Sequence, residues 1–228
     1  MCNVEETERT AAMSIFDRFK NPPKPNQMPR PQPIDGILEQ SLFAEGNILL
    51  FLGEEGKLFE KGTREDKIRI LEKNKDHPET RTRLLVWSEL RKLGVGVPEE
   101  LRKKVLGVVF EVGIGGGIDY LAAYEDHSAR YYNFSGKVVI AEAAQKELGD
   151  LMDRLLEAGH AAAMRLGLWE SPRRRGVAQD MVRMTFLTPA GIYFGEGPMS
   201  AMMQDEIGQA VFSRGVELMT ALAALGNQ

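Results

Sequence analysis

Four carboxylates, Glu111, Asp119, Glu125 and Asp126, lie in or beside one strongly patterned stretch, residues 105–141 (VLGVVFEVGIGGGIDYLAAYEDHSARYYNFSGKVVIA). Two carboxylates held close together can share a proton or grip a divalent cation through oxygen. Glu111 and Asp119 flank Gly115, Gly116 and Gly117, and a hairpin turning on those glycines would bring the two acids near each other. Acid/base work or cation binding would follow from that geometry. The plainer reading, which we adopt, sets both acids on a solvated sheet face with Arg130 and Lys137 as cross-strand partners. A second group is Arg173-Arg174-Arg175, three successive guanidiniums able to clamp an anion or an acidic protein surface. The plainer reading of that run is a solvated loop.

Tyr120, Tyr124, Tyr131, Tyr132 and Phe134 form an aromatic group in the same stretch. Successive strand residues point to opposite faces, so Tyr131 and Tyr132 must diverge. At least one tyrosine therefore lies on the face away from the long C-terminal helices. Exposed, it would be a contact residue for a partner; otherwise it packs beneath N-terminal helices, and cover is the expectation here.

Other chemistry finds no support in the residues. His77, His127 and His160 stand at no metal-ligand spacing, and Cys2 is the only cysteine. A nitrogen or sulfur metal site is not expected, nor is an intramolecular disulfide. No GxSxG occurs, and Ser135-Gly136 has no base beside it. The glycines of GIGGG are followed by no Walker lysine and open no helix, so a hairpin turn explains them better than a phosphate cradle. No cofactor is expected.

The elements that must position these residues follow from periodicity. Leu106, Val108, Phe110, Val112 and Ile114 recur at every second position, as on one face of a strand. Residues 118–124 alternate again, Glu125-Asp126-His127-Ser128 breaks the run, and residues 129–140 form a third, aromatic and β-branched run. Ser135-Gly136 within it suggests a bulge. A helix over residues 142–166 comes next, then a loop carrying the three arginines. A hairpin of residues 180–187 and 191–195 and a final helix over 199–225 close the chain. The expectation is an α+β fold: a five-stranded antiparallel sheet in the order β-β-β-α-β-β-α, with two long helices on one face. The element order is broadly like that of profilin-like scaffolds, which host unrelated functions.

Upstream, residues 1–34 read as a disordered, proline-rich arm, because residues 21–33 hold six of the eleven prolines. Residues 35–104 read as a small helical region, with a good helix at 79–93, and residues 105–228 as the α+β domain.

The chain has 228 residues, 43% of them hydrophobic, enough for a sizeable core. A formal net charge of −4 argues against general nucleic-acid binding. No apolar run approaches membrane-span length, and the lone cysteine fits a reducing, cytoplasmic location. The phrases RLLVWSELRKLGV and VLGVVFEVGIGGGIDYLAAYEDHSARYYNFSGK resemble stretches of bacterial proteins described only as hypothetical. That resemblance covers residues 80–140, implies a bacterial origin and transfers no functional residue.

The leading expectation is a non-catalytic, cytoplasmic interaction or regulatory protein that binds a protein partner or its own copy. The alternative is a small-molecule sensor or enzyme built on Glu111, Asp119 and Arg130. The residues singled out for binding are Glu111, Asp119, Arg130, Tyr131, Tyr132, Arg173, Arg174 and Arg175.

Overall fold

The computed structural model describes residues 36–142 and 146–226. The expected proline-rich arm lies outside the described residues. The strands are β1 Gly107–Ile114, β2 Gly117–Tyr124, β3 Ala129–Tyr132, β4 Val138–Ala141, β5 Met181–Thr188 and β6 Gly191–Pro198. They form one six-stranded sheet in the order β4-β3-β2-β1-β5-β6, and every neighbouring pair is antiparallel.

The count of six corrects the expected five, and the order becomes β-β-β-β-α-β-β-α. The third run is two strands, because Ser135-Gly136 is a turn and not a bulge. Asn133 Oδ1 accepts the Ser135 N–H at 2.8 Å, an Asx turn that reverses the chain. Gly136 supplies the left-handed φ of 90° that this turn needs. The first hairpin is also tighter than expected. Only Gly115 (φ 60°) and Gly116 (φ 84°) make its turn, and Gly117 already pairs with Ile114.

Helices α5 (Lys146–Ala163) and α7 (Glu206–Leu225) pack on one face. Between β6 and α7 lies the short α6, Met199–Met202. The single final helix expected from residue 199 is thus interrupted. Asp205 caps α7 by accepting the Gly208 N–H at 2.6 Å, and an N-cap residue cannot also be helix interior. The apolar stripe of the sheet, Val108, Phe110, Val112 and Ile114, meets Leu155, Met152, Val211 and Leu218 of these helices. Gly215 seats the Phe110 ring where any side chain would collide.

The second face is covered as well. It lies beneath α1 (Gly36–Leu42) and α4 (Thr80–Lys92), and α2 (Glu55–Lys61) and α3 (Arg64–Lys73) pack against α4 beyond them. Leu42, Phe43 and Leu84 pack on Leu106, Val109, Tyr120, Tyr124 and Tyr132. A separate cluster, including Phe59, Leu71, Trp87 and Leu90, binds α2, α3 and α4 to one another. The result is three layers with the sheet in the middle. Two locks tie the N-terminal layer down. Tyr124 Oη donates to the Leu42 carbonyl at 2.7 Å. At the start of α4, the Thr80 N–H donates to Asp126 Oδ2 at 2.7 Å, and the Asp126 N–H returns a bond to Thr80 Oγ1 at 3.0 Å.

Candidate functional site

Glu111 and Asp119 do not face each other. The register pairs Glu111 with Tyr120 and Val112 with Asp119. A single residue of offset puts the two acids on opposite faces of the sheet. Neither is solvated, since both are fully buried. The expectations of a carboxylate pair and of a solvated acidic face are both corrected by that register and burial.

Glu111 points to the N-terminal layer and enters an ionic seam. Its partner is Arg183 on β5, whose Nη1 donates to Glu111 Oε2 at 2.9 Å and whose Nε donates to Glu196 Oε2 at 2.8 Å. Arg183 also donates to the Arg174 and Gly176 carbonyls, at 2.8 and 2.9 Å. Burial pushes the Glu111 carboxyl above the ordinary glutamate range, against the pull of Arg183. Its Oε1 has no hydrogen-bond partner. Tyr120 beside it is pushed up to about 12, first by burial and then by the Glu111 and Glu39 charges.

The three arginines close the seam. Arg173 donates to Glu39 at 2.7 Å and Glu45 at 3.0 Å, and its guanidinium lies 3.7 Å from the Phe43 ring centre. Those carboxylates outweigh burial and hold the guanidinium pKa above its ordinary value. Arg175 takes the other Glu39 oxygen at 2.8 Å, and Arg174 sits over the Trp169 ring. The run is therefore a strap that fastens the loop between α5 and β5 to α1. Sequence reasoning missed Arg183, Glu196 and Glu39. The signal for Arg183 was a lone charge inside the apolar run of β5, matching the lone Glu111 inside β1.

Asp119 points to the other face and does structural work. It accepts from the Tyr131 hydroxyl at 2.7 Å, the Phe134 N–H at 2.8 Å and Asn133 Nδ2 at 3.4 Å. It thereby pins the turn that presents β4. Glu125 and Asp126 serve as anchors too. Glu125 meets Arg83 at 2.6 Å and Lys104 at 2.9 Å. Despite burial, both carboxyls lie below their usual range, Glu125 held there by Lys104 and Arg83 and Asp126 by hydrogen bonds from Ser128 and Thr80.

Tyr131 and Tyr132 diverge as expected, and both are buried, so neither is an open contact residue. Tyr132 lies on the N-terminal face with Arg130. Their cross-strand neighbours on β4 are Val138 for Tyr132 and Ile140 for Arg130. Arg130 is only 9% exposed, and its Nη1 has no partner. Val138 and Ile140 are 47% and 55% exposed.

β4 is the last strand on its side of the sheet. The Asn133 N–H donates to the Lys137 carbonyl at 2.8 Å. Antiparallel bonding alternates inward and outward, so the amides and carbonyls of Val138 and Ile140 point away from the sheet. The opposite edge is protected. The Trp169 N–H donates to the Ile192 carbonyl of β6 at 2.9 Å, and the Trp169 ring stands edge-on to Phe194 with centroids 4.9 Å apart.

Grooves open on the described surface. One of about 640 Å³ lies between α2 and α3, and one of about 220 Å³ lies beside Phe43, Arg91 and Thr188. Neither is lined by Glu111, Asp119 or Arg130. Among the described residues, no trio of His, Cys, Asp or Glu is arranged to hold a metal ion, and no helix is long and apolar enough to cross a membrane. No family model, curated protein or solved structure matches this chain.

Proposed function

We propose that this chain is a non-catalytic binding protein that takes up an extended polypeptide along β4. The observation that carries this reading is the contrast between the sheet edges. The β6 edge is capped by Trp169, while β4, among the described residues, offers unpaired backbone groups flanked by exposed Val138 and Ile140. Strand addition uses such an edge: backbone hydrogen bonds give affinity, and alternate side chains give selectivity. The buried ionic groups support the same reading. Glu111 is spent on Arg183 of the next strand, the arginine run on fastening α1, and Asp119 on holding the turn beside β4.

The test is site-specific photo-crosslinking in cells that make the full chain. A photoreactive residue in place of Ile140 is expected to capture a polypeptide. The same residue in place of Met164, which is 56% exposed on the turn after α5, is the control. Capture at 140 no greater than at 164 would overturn the reading.

A further inference from the structure

Resting on that reading of β4, we infer that the strand it takes up is β4 of a second copy of this chain. The edge is self-complementary. A two-fold axis through Val139, normal to the sheet, sets Val138 of one copy opposite Ile140 of the other. These are the two residues whose amides and carbonyls point outward, so each N–H meets a carbonyl of the partner strand. No backbone group of the short strand is left over.

The side chains agree with the same axis. It keeps each sheet face on its own side, so Val138 and Ile140 of both copies gather on the N-terminal face. Their exposed surfaces of 47% and 55% cover one another, next to the buried Arg130 and Tyr132 of each copy. Short as it is, β4 lacks three of the devices that keep monomers apart, since Val138–Ala141 contains no proline, no charge and no bulge. The sheet would run unbroken through both copies. Only a short strand is shared, so the dimer is weak and concentration-dependent.

The experiment is sedimentation velocity of the full chain from ~1 to ~100 µM, a span set for a micromolar equilibrium. The mass is expected to climb from 25.4 kDa toward twice that value. Ile140→Lys, at an exposed position, is expected to remain at the single-chain mass throughout while keeping its circular dichroism. Val138→Pro removes an outward N–H without touching the β3 ladder and should do the same. Met164→Lys should dimerise as the parent does. A single-chain mass at every concentration overturns the inference, and so does a dimer that survives both β4 variants. The crosslinker at position 140 separates the two proposals. Capture of a different polypeptide by a single-chain protein sinks the second copy and leaves the strand-binding edge standing. Capture of nothing sinks both.

Discussion

The sheet is buried on both faces, but by different physics. Beneath α5 and α7 the contacts are apolar apart from the buried Asp119 beside the β3–β4 turn, and the bulky stripe of Val108, Phe110 and Val112 meets leucine, valine and methionine. Beneath the N-terminal helices the apolar patch around Tyr120 and Tyr124 shares the face with Glu111, Arg130 and Arg183. The first face gains stability from area removed from water, which requires only shape and hydrophobicity. The second carries buried charges that cost energy wherever they lack a partner, and its bridges from Arg173 and Arg175 to Glu39 tie α1 in particular to that face. One face supplies cohesion, and the other selects its cover.

That contrast can be broken or sharpened by mutation. The largest effect is expected on the apolar face. Phe110→Ala should cost about 3–5 kcal/mol in urea unfolding, since the ring is fully buried and Gly215 cannot fill the void. On the other face, Arg183→Met strands the Glu111 carboxylate and should cost about 3 kcal/mol. Adding Glu111→Gln should return most of that loss, because the penalty belongs to the orphaned charge. No recovery in the double variant would erase the distinction between the faces. Asp119→Ala should cost about 1–3 kcal/mol by freeing the Tyr131 hydroxyl and the Phe134 amide. Its loss should appear first as faster amide exchange in the β3–β4 hairpin.

The smallest effect is one of pH. The Glu111 carboxyl is raised by burial, so its contribution is present at low pH and fades as pH rises through its folded value. Glu125 and Asp126 are lowered, so their contribution is present above their unfolded values and lost as pH falls through the folded ones. Melting temperatures between about pH 3 and 7 should therefore rise more steeply with pH in Glu111→Gln than in the parent. Glu125→Gln should flatten the acid side. A Glu111→Gln profile parallel to the parent would mean that this carboxyl does not titrate differently in the folded state.

Much of this architecture was legible in the chain. The alternation of β1 and β2, the helical stripes of α5 and α7 and the opposed directions of Tyr131 and Tyr132 all follow from side-chain periodicity. The errors came where one residue decides. Counting Gly117 into the first turn shifts the register by one and moves Asp119 across the sheet. The run 129–140 reads as one strand with a bulge at Ser135-Gly136 because most of its residues favour β structure; the Asn133 side chain, which bonds the backbone two residues on, marks the reversal. The seam was illegible for another reason. Glu39, Glu111, Arg173 and Arg183 meet across long stretches of sequence, and local pattern carries no record of which distant charge a buried charge will find.

The strap from Arg173 to Glu39 has a consequence for biosynthesis. The two residues are 134 positions apart, so at ~5–20 residues per second the ribosome needs roughly 7–27 s to supply the second after the first. Throughout that interval α1 has emerged and Arg173 does not yet exist to hold it. Leu42 and Phe43, buried in the finished protein, spend the wait in reach of chaperones and proteases, and the pace of translation from α2 through α5 sets how long that wait lasts.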